Sequence, residues 1–243
     1  MRVVRVALVW LLTSLMAMPS WAAMALVQSN CVTGNLFAGG TTYAYTYPSA
    51  PTVGNLVVIG ETMQTRTVSS IAGTTTTYTI NGANTNNAAA GYNTSLWKAI
   101  FAGSDTTATV TISGNNSSTD TTLCFWEFSG NSSDQSGSVA NGAANNLTTT
   151  HNSGSVTPPT ADNVVVSMIF ISGATWTADS GFTNTATGQA IAKAGYIIQS
   201  SATAQEYNGT TDVNRYSAMR IGAFAGTSSS MAVGGLGLLG VGR

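Results

Sequence analysis

Few side chains in this sequence are equipped for chemistry. The single histidine, His151, lies in TTTHNSGS, residues 148–155. A Ser-His-Asp triad needs its imidazole held between a nucleophile and an orienting acid. The run around His151 is polar and loop-like, and no G-x-S-x-G elbow occurs in the chain. His151 is therefore read as a solvated loop residue. One His with two distant cysteines also lacks the spacing of a zinc site. Among the acids, Glu127 stands out within TLCFWEFSG, residues 122–130. Strand alternation puts Leu123, Phe125 and Glu127 on one face. A carboxyl in such surroundings is pushed up in pKa, as a general acid needs. No second carboxylate is placed beside it, so a structural role at a sheet end is the other reading. Loops at Ser113–Asp120 and Asn208–Asn214 carry oxygens that suit calcium. Neither has EF-hand spacing, and polar turn chemistry accounts for both. No cofactor is assigned, and calcium is the one metal these loops would suit.

Aromatic rings beside Asn and Asp suit a sugar platform. Tyr92, Trp97, Trp126, Trp176 and Tyr207 are the candidates. Trp97 and Trp126 sit in strong apolar strands and read as core. Trp176 lies in the turn-rich SGATWTADSGF, residues 172–182, and is expected at the surface. The candidate ligand-binding set is Trp176, Tyr92, Tyr207 and Glu127, with no catalytic residue assigned.

These residues need a frame, and composition narrows it. Charged residues make up 7% of the chain and apolar ones 43%. Such a chain buries a core and is not disordered. Thr, Ser, Asn and Gly are poor helix formers. Eight Lys and Arg cannot build the basic patch that phosphate neutralisation requires, so nucleic acid is excluded as a partner. Alternation and turn punctuation mark twelve strands. They are 25–29, 41–47, 55–62, 65–71, 75–80, 94–101, 108–113, 122–129, 163–171, 189–198, 203–207 and 216–224. The segment between Asn131 and Asp162 reads as a polar connector.

The order of these strands is written twice. GNLVVIGE from Gly54 is echoed by DNVVVSMI from Asp162. SLWKAIF from Ser95 is echoed by AIAKAGY from Ala190, setting Lys98 over Lys193. ATVTI from Ala108 is echoed weakly by ATAQEY from Ala202, and TLCFWEFSG by AMRIGAFAG, setting Phe128 over Phe224 and Gly130 over Gly226. Convergent strand composition is the competing explanation. A half of this size is marginal alone, whereas two halves burying one face each make one core. The expected fold is all-β: a single antiparallel, jelly-roll-like β-sandwich of about 10–12 strands with an internal pseudo-repeat. Cys31 and Cys124 either pair across it or remain buried thiols.

The ends carry address-like features. Arg2 and Arg5 precede an apolar run, Val6–Met16, followed by Pro19 and Ser20-Trp21-Ala22. This has the form of a signal peptide cleaved after Ala22 or Ala23, the alternative being a retained anchor. The expected division is a signal peptide at 1–23, a sandwich at 24–226 and an apolar Gly/Leu-rich tail at 227–243. The tail is too short to cross a ~30 Å hydrocarbon core as a helix, so no transmembrane span is expected in the mature chain.

PTVGNLVVIG, SLWKA, TVTISG and FWEFSG resemble the β-sandwich modules of secreted and surface proteins of bacteria and phages, described as jelly-roll or concanavalin-like. The Glu-x-Asp-x-x-Glu strand of laminarinase-like members is absent. The tail MAVGGLGLLGVGR resembles PEP-CTERM sorting signals, without their Pro-Glu-Pro motif and with one Arg in place of a basic cluster; a frayed tail or a last packed strand is the alternative. The resemblance implies a secreted or cell-surface protein that binds a glycan or surface polymer without being an enzyme. Two other readings stand beside it. One is a self-associating structural or adhesive subunit, motivated by edge strands with few charges. The other is a glycan-active hydrolase or lyase acting through Glu127.

Overall fold

A computed structural model describes residues 23–114, 120–171, 173–178, 181–185, 187 and 191–227. All but the last residue of the expected signal peptide and all but the first residue of the tail lie outside the described residues. Every described element is a strand. In chain order these are β1 (Ala25–Gly34), β2 (Thr42–Thr46), β3 (Leu56–Gln64), β4 (Val68–Ala72), β5 (Thr79–Ile80), β6 (Thr85–Asn87), β7 (Tyr92–Ile100), β8 (Thr107–Ile112), β9 (Thr121–Ser129), β10 (Val139–Asn152), β11 (Asn163–Ile171), β12 (Trp176–Ala178), β13 (Thr183–Thr185), β14 (Ala192–Gln199) and β15 (Asn208–Phe224). No helix among the described residues is long and apolar enough to cross a membrane.

The strands form three antiparallel sheets. The first runs β1-β9-β3-β7-β5 with β6 beside β7; the second runs β10-β15-β11-β14-β13 with β12 beside β15; the third is β2-β8-β4. The first two sheets repeat each other strand for strand, with β1, β9, β3 and β7 answered by β10, β15, β11 and β14. Register confirms the match, because Leu56 faces Phe128 as Val164 faces Phe224. The two sheets stack in opposite order, so that β3 lies on β11, β7 on β15, β1 near β13 and β6 on β10. The result is a β-sandwich with an approximate internal two-fold.

Three interiors hold it together. Leu56, Val58, Leu96, Trp126 and Phe128 meet Val164, Val166, Met168 and Phe224 at the centre. The outer face of the first sheet packs Val57, Ile59, Trp97 and Phe125 under the small β2-β8-β4 sheet. The outer face of the second packs Val165, Ile169, Met219 and Ile221 under Val156, Phe182 and Tyr207. The central strands are therefore covered on both faces and read as unbroken apolar runs. The β2–β8 pairing has a reduced counterpart, a single bridge between Val156 and Gln205. The strand expected at 203–207 is this bridge.

Two sequence readings are corrected. The connector between the halves contains β10, a strand of 14 residues at a sheet edge. Only one side of β10 meets a core, so Asn, Thr, Ala and Gly satisfy it and no apolar alternation marks it. The pairing of Lys98 with Lys193 is also displaced. Leu56 faces Ile100 and Val164 faces Ile198, which sets Tyr196 in the place of Lys98. The glycine match holds for two different reasons. Gly130 has φ +72°, whereas a Cβ at Gly226 would collide with the Asp162 carbonyl. Cys31 and Cys124 face each other across β1 and β9 and form a disulfide.

Candidate functional site

Edge strand β13 forms a ridge between two hollows. On the outer side, a hollow of about 360 Å³ is lined by Trp176, Asn184, Thr185, Thr187, Lys193 and Ala194. On the inner side, at the seam between the two large sheets, one of about 340 Å³ is lined by Leu26, Ser29, Asn30, Thr183, Asn184, Thr185 and Tyr196. Asn184 and Thr185 belong to both. Trp126 from the central interior donates its Nε1–H to Thr185 Oγ1 at 2.9 Å, which pins the ridge to the first sheet.

The outer hollow is built from its floor upward. Tyr207 is fully buried, 5.8 Å from Trp176 and 5.0 Å from Phe182 between ring centroids. Burial pushes its phenol up to about 12, the Trp176 indole acting against the rise. The phenol thus stays protonated and donates to Asn184 Oδ1 at 3.3 Å. That bond fixes the amide so that Asn184 Nδ2 remains a donor toward solvent. Trp176 sits half-buried on β12, paired to Thr211 of β15. Its Nε1 is itself shielded, so the residue offers ring surface and no polar edge. Gly209 makes this seat possible, since a Cβ there would lie 2.5 and 2.6 Å from the indole ring.

His151 backs the same indole at 6.1 Å. It was expected in a solvated loop and is instead fully buried where β10 meets β15. Its Nδ1 lies 2.9 Å from Ser217 Oγ and its Nε2 3.1 Å from Thr211 Oγ1. Burial holds the imidazole below its ordinary pKa, with the Thr148 backbone acting the other way. Ser217 and His151 are both fully buried and no acid among the described residues joins them, so the pair has the contacts of a strut.

The sequence candidates separate accordingly. Trp176 lies at the hollow and Tyr207 beneath it. Tyr92 is buried elsewhere, its ring centroid 4.2 Å from that of Phe170. Glu127 is also fully buried. It accepts from Gln28 Nε2 at 2.6 Å, the Thr52 backbone at 2.8 Å and Asn55 Nδ2 at 2.6 Å. Its oxygens tie the 49–55 loop to the sheet. The strongly perturbed acid is Glu61, pushed up to about 8 by burial, with Ser95 and the Val68 amide opposing. It faces the interior under the third sheet, beside Ser95 Oγ at 3.0 Å. Among the described residues no three His, Cys, Asp or Glu gather as metal ligands. The Asn208–Asn214 stretch, weighed as a calcium loop, is the first part of β15.

No family model, curated protein or solved structure matches this chain. The site is therefore read from its own geometry. Sequence inspection missed Asn184, Thr185 and Lys193. The run Thr183-Asn184-Thr185 is too short and too ordinary in a Thr/Asn-rich chain to stand out.

Proposed function

We propose that this is a secreted or cell-surface β-sandwich that binds a glycan or surface polymer along the β13 ridge, without catalysis. The observation that carries the reading is Trp176 at the mouth of a hollow whose rim amide, Asn184, is oriented by a buried tyrosine. An aromatic surface beside fixed amide and hydroxyl groups matches the apolar and polar faces of a sugar ring. The Cys31–Cys124 disulfide fits an extracellular or other non-cytoplasmic protein. The leader-like residues 1–23 and the tail resembling sorting signals agree with export to the cell surface. A glycan array with the wild-type chain and Trp176→Ala tests the proposal. Binding should fall at least about tenfold in the variant, the loss of one well-placed contact of about 1.4 kcal/mol. Equal binding by both proteins would overturn it.

Self-association is the second reading, and β10 favours it. This long edge strand has no charged residue, and Leu147 on it is 57% exposed. Edge strands without charge are templates for further pairing. Light scattering should then show oligomers that Leu147→Lys disperses, and a monomer at all concentrations would refute it.

A further inference from the structure

We infer that the polymer held at the β13 ridge is acidic, with a carboxylate or sulfate seated at Lys193 in the Trp176 hollow. This rests on the glycan reading and adds the charge class of the ligand.

Among the described residues, Lys193 is the one charged residue lining either hollow, and no Asp or Glu lines them. It is half-buried on β14, and no acidic side chain among the described residues pairs with it. The other hollow-lining lysine shows the contrast. Lys98 lines a hollow of about 330 Å³ with Thr77, Thr79 and Gln135. Its Nζ donates to the Gln135 carbonyl at 2.6 Å, and Asp134 lies close enough to act on it. Lys98 is thus engaged by the protein, whereas Lys193 makes no hydrogen bond of this kind among the described residues. The two lysines looked equivalent in sequence, yet the register places Tyr196 where Lys98 stands. Lys193 therefore does not repeat the role of Lys98. Asn184 lines the same hollow and carries an amide donor. An ammonium and an amide N–H facing one hollow suit an anionic group on a pyranose lying against Trp176.

The test uses the full chain and paired polymers. Oligogalacturonate, alginate, hyaluronan and chondroitin sulfate are each compared with a carboxyl-reduced or desulfated counterpart by titration calorimetry. At least one acidic polymer should bind at least about tenfold more tightly than its neutral counterpart. Lys193→Gln should remove that ratio, and Lys98→Gln should leave the ratio intact. Raised salt should weaken the acidic polymer alone. Neutral and acidic forms binding alike, or a ratio that survives Lys193→Gln, would overturn the acidic assignment while the glycan reading stands. Failure of every polymer, neutral and acidic, would overturn both.

Discussion

At the scale of the residue, two buried titrating groups set opposite pH slopes. Glu61 has a folded pKa of about 8, raised above the usual carboxyl value of 4.5. The unfolded chain releases its proton first, so stability falls as pH rises from about 4.5 to 8. Fully expressed, this cost is on the order of 5 kcal/mol. Glu61→Gln should remove it. Urea unfolding should show the variant gaining on the wild type at pH 8 and matching it near pH 5. His151 acts the other way. Its folded pKa lies below the usual 6.5, so a penalty appears as pH falls below about 6.5 and the unfolded chain binds the proton first. Gly209→Ala is a third residue-scale test. The added methyl meets the Thr177 carbonyl oxygen and the Trp176 ring, and overpacking of this kind costs about 1–3 kcal/mol. Glycan binding should fall in this variant although Gly209 lies behind the ring and touches no ligand.

At the scale of the element, the two seams of the sandwich differ. On one, Asn81 Nδ2 donates to the Val139 carbonyl at 3.2 Å, and Asn87 Nδ2 donates to the Asn145 and Ser217 carbonyls at 2.9 and 3.1 Å. Side-chain amides from the first sheet thus fasten edge strand β10. On the other seam, β1 and β13 are joined through Trp126 and leave a hollow. Asn87→Ala removes a donor from one buried and one part-buried carbonyl and should cost about 1–3 kcal/mol. Hydrogen exchange should quicken along β10 and remain unchanged in β13. Edge strand β1 is secured covalently. The bridge between Cys31 and Cys124 spans 93 residues of chain, and removing a loop closure of that size costs about 4 to 5 kcal/mol on the chain-entropy model. Cys31→Ser should lower the denaturation midpoint accordingly.

Legibility in the sequence followed burial. β3, β7, β9 and β11 are buried on both faces, and their apolar runs named them directly. β10 was hidden because an edge strand needs no apolar period. His151 was misplaced with it, because a short polar run does not reveal that its neighbours hydrogen-bond across a strand pair. Trp176, expected at the surface, is half-buried on β12 against the Tyr207 ring, because the turn residues around it hid a short strand. Lys193 entered only as a repeat marker, and strand register was needed to separate it from Lys98.

At the scale of the whole molecule, the two repeats are bound by their shared interior. Residues 24–131 alone would expose Leu56, Val58, Leu96, Trp126 and Phe128, which meet the second sheet in the intact chain. That fragment should show no cooperative unfolding transition, whereas the complete chain should unfold in one step. Departure from two-fold equivalence is what leaves one seam open, and the proposed binding lies at that seam and its outer flank. The most direct measurement is a map of amide chemical-shift changes on adding a polymer that the chain binds. The largest changes should fall on the Trp176 indole N–H, the Asn184 side-chain amide and strands β13 and β14. Changes centred instead on Thr77, Thr79, Lys98 and Gln135, with Trp176 unmoved, would contradict the account.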